Sequence, residues 1–168
     1  TFSRLPTRIP EPLDVTVVAH EAIRLMEGEQ GDAEITSDMA ADPLVVRADH
    51  EELRRVFINL IKNGIQAMDD QPGERHIRVE TLAQDDWAIA RVTDTGSGIP
   101  DDLIPKVFEP NFSTKTSGTG LGLAISRKAV EESGGTITFE TQAGEGTTFE
   151  VRLPLVVEPP DRTVGDGV

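Results

Sequence analysis

Asn59-Leu60-Ile61-Lys62-Asn63, Asp94-Thr95-Gly96-Ser97-Gly98, Phe108-Glu109-Pro110-Asn111-Phe112-Ser113-Thr114-Lys115 and Gly118-Thr119-Gly120-Leu121-Gly122-Leu123, in this order, decide how the chain is read. Each segment alone is weak, because paired Asn residues and glycine-rich runs are common. Together they describe a nucleotide pocket. Asn59 and Asn63 stand at i and i+4, so on a helix their amides share a face one turn apart. Two Asn residues alone would read as the polar side of an amphipathic helix. Their neighbours Leu60 and Ile61 belong to an apolar stripe, and an amide beside a buried stripe needs a partner. An amide oxygen is a neutral, hard donor suited to Mg²⁺.

Asp94 follows the strand-like Ile89–Val92 and precedes Gly96 and Gly98. A carboxylate there can accept from an adenine amino group, and glycines let a flat ring come close. An Asx-turn at a strand end explains Asp94 equally well without the other segments. Gly118, Gly120 and Gly122 precede a helix, where successive N–H groups and the helix start favour an anion. No Gly-Lys dipeptide occurs, so this is not a P-loop. The third glycine comes one residue too early for a dinucleotide fingerprint, and no βαβ unit surrounds it. Lys115 can bring a point charge to phosphates or remain a solvated loop residue. Gly144-Glu145-Gly146 is read as a hairpin turn.

Outward from these segments, residues 1–12 carry three prolines and read as an extended linker. A helix begins at Leu13, with Leu13, Val17, Val18, Ala22, Leu25 and Met26 as its apolar stripe. Short strands follow near Ala33–Thr36 and Leu44–Arg47. Asp49 and Glu52 form a capping box opening a second helix, whose stripe is Leu53, Val56, Phe57, Leu60, Ile61, Ile65 and Met68. Ile77–Leu82 and Trp87–Val92 make a hairpin. Residues 95–119 hold at most a short helix around Asp101–Lys106, and so long a stretch is usually a functional lid. A third helix spans Leu121 to Glu132, stopped by Gly134-Gly135. Thr136–Thr141 and Thr147–Leu153 make a closing hairpin, and the tail, residues 155–168, reads as disordered. The expected fold is a two-layer α/β (α+β) sandwich, a mixed, largely antiparallel sheet with about three helices on one face.

The four segments resemble the N, G1, F and G2 boxes of sensor histidine kinases, whose catalytic domain has the Bergerat ATP-binding fold shared with gyrase, mismatch-repair and chaperone ATPases. The resemblance covers residues 13–154. It implies ATP and Mg²⁺ as cofactors, Asn63 as metal ligand with Asn59 near the phosphates, and Asp94 on the adenine amino group. It further implies Gly96, Gly98 and Ile99 along the base, and Lys115, Gly118, Thr119, Gly120, Leu121 and Gly122 in a flexible ATP lid anchored by Phe108 and Phe112. Gln66 stands where many such kinases have Lys. The ATPase relatives carry Glu at the place of Asn59 to activate water; an amide has no basic lone pair at neutral pH and cannot take that proton. The resemblance therefore implies phosphoryl transfer to a histidine on a separate dimerisation domain, in two-component signalling with a response regulator and a homodimeric parent. A stand-alone serine kinase of the anti-sigma type and an ATPase module are the alternatives. The wording of residues 108–115 is closest to kinases of the nitrogen-regulation type.

The acceptor histidine is not found. His20-Glu21 lacks the proline of the phosphoacceptor setting and lies too close to Asn59 for an intervening dimerisation hairpin, so His20 is read as a helix-face residue and His50 and His76 as exposed. The chain does not start with Met, and residues 1–6 read as the end of an upstream dimerisation domain. No apolar run approaches a membrane span. The expectation is a cytoplasmic domain without membrane contact, from a parent whose anchoring in the inner membrane stays open. Cysteine is absent, which excludes disulfides and thiol metal sites. The net charge of −14 argues against nucleic acid as partner. It fits a solvated acidic surface; under the alternative of adaptation to high salt, the melting temperature would rise with salt.

Overall fold

Asp49 starts the helix on which the molecule is organised. Its carboxylate accepts from the Glu52 N–H at 2.9 Å, the N-cap bond, and from the Ile9 N–H at 2.8 Å. The capping box is completed differently from expectation, since the Glu52 carboxylate turns to the Arg8 guanidinium. The computed structural model describes residues 8–69, 73–110 and 122–156. In chain order the elements are β1 (Pro10–Asp14), α1 (Val15–Met26), β2 (Glu34–Asp38), β3 (Val45–Asp49), α2 (His50–Ala67), β4 (His76–Gln84), β5 (Trp87–Asp94), α3 (Gly122–Glu132), β6 (Thr136–Gln142) and β7 (Gly146–Pro154). A 3-10 turn at Ile104–Lys106 is the short helix expected between β5 and α3.

The main sheet has the order β2-β4-β5-β7-β6, with β2 parallel to β4 and every other pair antiparallel. α2 packs between α1 and α3 and over β5. Leu53, Val56, Phe57, Leu60, Ile61 and Met68 of the α2 stripe are buried against Ile77, Val79, Ala90, Val92, Phe149 and Val151 of the sheet. The expected two layers are present. On the other face, Arg91 pairs with Glu150 at 2.8 Å, Arg78 with Asp38 at 3.0 Å, and Thr93 bonds Thr148 at 2.9 Å, a polar surface suited to water.

Several expectations change, the tail among them: Leu155 N–H reaches the Asp86 carbonyl and Val156 N–H that of Val45, each at 2.8 Å, while residues 157–168 lie outside the described residues. Residues 10–14 are not linker: they pair antiparallel with Val45–Asp49 in a separate two-stranded sheet, and Arg8 is tied to Glu52 and Glu132. The helix then starts at Val15, capped by Asp14, whose carboxylate also accepts from Leu44 N–H. Val17 and Leu25, placed in the apolar stripe, are exposed; the buried face is Val15, Val18, Ala19, Ala22 and Met26. Val15 and Ala19, which periodicity passed over, take the places given to Val17 and Leu25. His50 and His76 are half-buried, bonded to Glu21 at 2.6 Å and Thr36 at 2.7 Å, whereas His20 is an exposed helix-face residue.

Candidate functional site

Asp94 ends β5 and continues the inward series Ala88, Ala90 and Val92, so its side chain enters the layer between sheet and helices. It is 6% exposed. Oδ1 accepts from the Gly96 N–H at 2.8 Å, and the Thr147 backbone N–H also donates to the carboxylate. Desolvation outweighs both bonds and pushes the pKa up to about 6. The Asx-turn is therefore real, but a turn does not require burial. A buried carboxylate with a raised pKa beside a glycine loop makes Asp94 a candidate site residue.

The loop after Asp94 is held by backbone contacts that exclude side chains. A Cβ at Gly96 would lie 2.6 Å from the Ala67 carbonyl oxygen, and one at Gly98 2.5 Å from that of Gln142. Gly98 also has φ +79°. Ile99 donates its N–H to Thr141 Oγ1 at 2.8 Å, and Gly144 N–H reaches the Ser97 carbonyl at 2.9 Å. The loop is thus clamped between the end of α2 and the β6–β7 turn.

Two glycines escaped the sequence reading of the site. Gly64 lets α2 cross directly over Asp94: a Cβ there would meet Ile77 Cδ1 at 2.7 Å and Asp94 Cβ at 3.3 Å. Its signal was available, as a glycine inside an apolar helix face marks close approach. Gly146, read as turn chemistry alone, has φ +130° and a Cβ position 2.0 Å from the Asp94 carbonyl oxygen. The turn does not explain it; the strand end of Asp94 does. Thr147, whose N–H braces Asp94, is buried and bonds Thr141 through the hydroxyls at 2.9 Å. Nothing in its local sequence sets it apart from other strand threonines.

Asn63 precedes Gly64 and is half-buried, with no hydrogen-bond partner among the described residues. Asn59 lies one turn earlier, about 6 Å along the helix axis. Its Nδ2 donates to Ser126 Oγ of α3 at 3.4 Å, and a Cβ on Gly122 would sit 3.6 Å from the same amide. α2 therefore carries, in line, Gly64 against Asp94, then Asn63, then Asn59 beside Gly122. Lys115, Gly118, Thr119, Gly120, Leu121 and Phe112 lie outside the described residues. Phe108 sits among rings as expected of an anchor, 5.7 Å from Phe139 and 6.4 Å from Phe149 between centroids, with the Arg127 guanidinium 5.3 Å above it.

No group of three or more His, Cys, Asp or Glu able to hold a metal exists among the described residues. An ion at this site would draw its oxygen donors from amides, phosphates and water; Mg²⁺ accepts such hard oxygen ligands, and the Asn63 amide, which has no partner among the described residues, can supply one.

Residues 48–157 match the family described as histidine kinase-, DNA gyrase B-, and HSP90-like ATPase. The sensor kinase CckA of Brucella abortus is 35% identical over 94% of this chain, and the sensor protein FixL of Bradyrhizobium diazoefficiens 40% identical over 72%. The chain spans only 18% and 24% of the length of those two proteins. Among solved structures, the nucleotide-free catalytic domain of histidine kinase ThkA superposes with a TM-score of 0.77 at 29% identity, covering 88% of this chain and 96% of that domain. The chain belongs to the family of histidine kinase-, DNA gyrase B- and HSP90-like ATPases, and its likeness within that family is to the catalytic domains of sensor histidine kinases.

Proposed function

We propose that this domain binds Mg²⁺–ATP and presents the γ-phosphoryl group to a histidine on a separate dimerisation domain of a homodimeric sensor kinase, from which a response regulator is then phosphorylated. The observation that carries the reading is the order along α2: a buried carboxylate lies against Gly64 at one end of the site, Asn63 follows, and Asn59 stands beside the glycine start of α3 at the other. That is the base-to-phosphate order of a nucleotide. Asp94 accepts from the adenine amino group, and Gly96, Gly98 and Ile99 form the wall along the base. Asn63 holds the metal, Asn59 lies near the phosphates, and Gly118, Thr119, Gly120, Leu121 and Gly122 supply N–H groups to them, with Lys115 adding a charge. Bound Mg²⁺ would neutralise phosphate charge and leave in-line transfer to positioning.

The amide at Asn59 favours a kinase over the ATPase and anti-sigma alternatives, since no carboxylate stands there to activate water. The wording of residues 108–115 supports the nitrogen-regulation type. A cytoplasmic setting fits the proposed use of ATP, and among the described residues no helix is long and apolar enough to cross a membrane. Calorimetric titration with ATP, with and without Mg²⁺, while following free phosphate, tests the proposal. Mg²⁺-dependent binding without phosphate release supports it. Rapid release would make the domain an ATPase, and absence of binding would remove the reading.

A further inference from the structure

Ser126 is a buried hydroxyl, 1% exposed, on the second turn of α3. Among the described residues its one side-chain partner is Asn59, whose Nδ2 donates to Ser126 Oγ at 3.4 Å. The bond is long, and α3 passes close to the same amide: a Cβ built on Gly122, one turn before Ser126, would lie at ordinary van der Waals distance, 3.6 Å, from its Cγ and Nδ2. Asn59 thus faces α3 at two successive turns and is hydrogen-bonded at the second. With Nδ2 committed to Ser126, the amide oxygen, which has no described partner, is left to face away from that bond.

We infer that Ser126 is a positioning residue for the phosphate end of the site: through Asn59 it fixes which face of the amide is offered to ligand, and it ties that choice to the docking of α3. The inference rests on the nucleotide reading of the site. It adds a residue that sequence gives no reason to single out, a serine within a helix.

The test is a double-mutant cycle on Mg²⁺–ATP affinity, using Asn59→Ala, Ser126→Ala and the pair, each verified by thermal melting. A coupled pair in direct contact loses little more when its second member is removed. Ser126→Ala is expected to weaken Mg²⁺–ATP about threefold to tenfold in the wild-type background and by less than about twofold in the Asn59→Ala background. Ser126→Cys, close in size but a weaker hydrogen-bonding group, should fall between wild type and Ser126→Ala. Equal losses in both backgrounds would mean that Ser126 acts through packing alone, and no loss in the wild-type background would remove it from the site; either overturns the inference. Should wild-type protein fail to bind Mg²⁺–ATP, the functional reading itself falls. If wild type binds and Asn59→Ala weakens it while Ser126→Ala does not, the positioning role alone is refuted.

Discussion

Asp94→Asn should make the protein more stable at alkaline pH while removing adenine selectivity. Burial raises the Asp94 pKa from the usual 3.8 to about 6. Between those values the folded chain keeps a proton that the unfolded chain has released, so this position favours folding most at low pH. That contribution is lost as pH rises through about 6, and at pH 8 the fold carries a buried, ionised carboxylate. Asn preserves shape and its amide oxygen can still accept from Gly96 N–H, but it does not titrate. From the shifted and unshifted values, wild type should lose about 1.4 kcal/mol relative to the variant between pH 5 and pH 8. In a domain of this size that is roughly 3–6 °C of melting temperature. Urea unfolding at both pH values, followed by the single tryptophan, Trp87, measures the gap. A gap that does not widen with pH would refute the assignment of a dry, proton-holding carboxylate. In parallel, ATP and GTP affinities should converge in the variant; retained discrimination would refute the adenine role.

The remaining predictions address the same site. Adenosine, which has no phosphate to titrate near neutrality, should bind about tenfold more weakly at pH 5 than at pH 7 if ionised Asp94 is the acceptor; a flat calorimetric profile would contradict this. Gly146→Ala combines φ +130° with a Cβ 2.0 Å from the Asp94 carbonyl oxygen and should cost roughly 2–4 kcal/mol together with nucleotide binding. Gly144→Ala, with φ +79° and nothing within 4 Å, should cost only about 1–2 kcal/mol and leave binding intact. Equal losses in the two variants by chemical denaturation would show that turn geometry alone matters at Gly146. Asn59→Glu should introduce slow phosphate release from ATP, seen in a coupled phosphate assay, because a carboxylate can accept the proton of attacking water.

What the sequence determined by itself is local. The Asp49 cap, the apolar face of α2, the Asn59–Asn63 pairing on one helix face, the β4–β5 hairpin and the end of α3 depend on residues a few positions apart. At that last stop, Gly134 N–H reaches Glu131 at 3.0 Å and Gly135 N–H reaches Val130 at 3.0 Å. Propensity, periodicity and capping act over that range, and they were legible. The tertiary structure decided everything that requires two distant backbones to meet. Strand periodicity did not show that β2 and β3 enter different sheets, or that Pro10–Asp14 is a strand, because neither property resides in the strand itself. Val17 and Leu25 look as apolar as any core residue, yet the face that α1 turns to the core is Val15, Val18, Ala19, Ala22 and Met26. The chemistry of Asp94 is the clearest case. Sequence placed a carboxylate after a strand, but its shifted proton comes from α2 crossing over it at Gly64 and β7 closing beside it at Gly146 and Thr147, contacts between segments 30 to 53 residues apart in the chain. Desolvation is a property of the assembled layers, so it exists only once the fold has closed around the group.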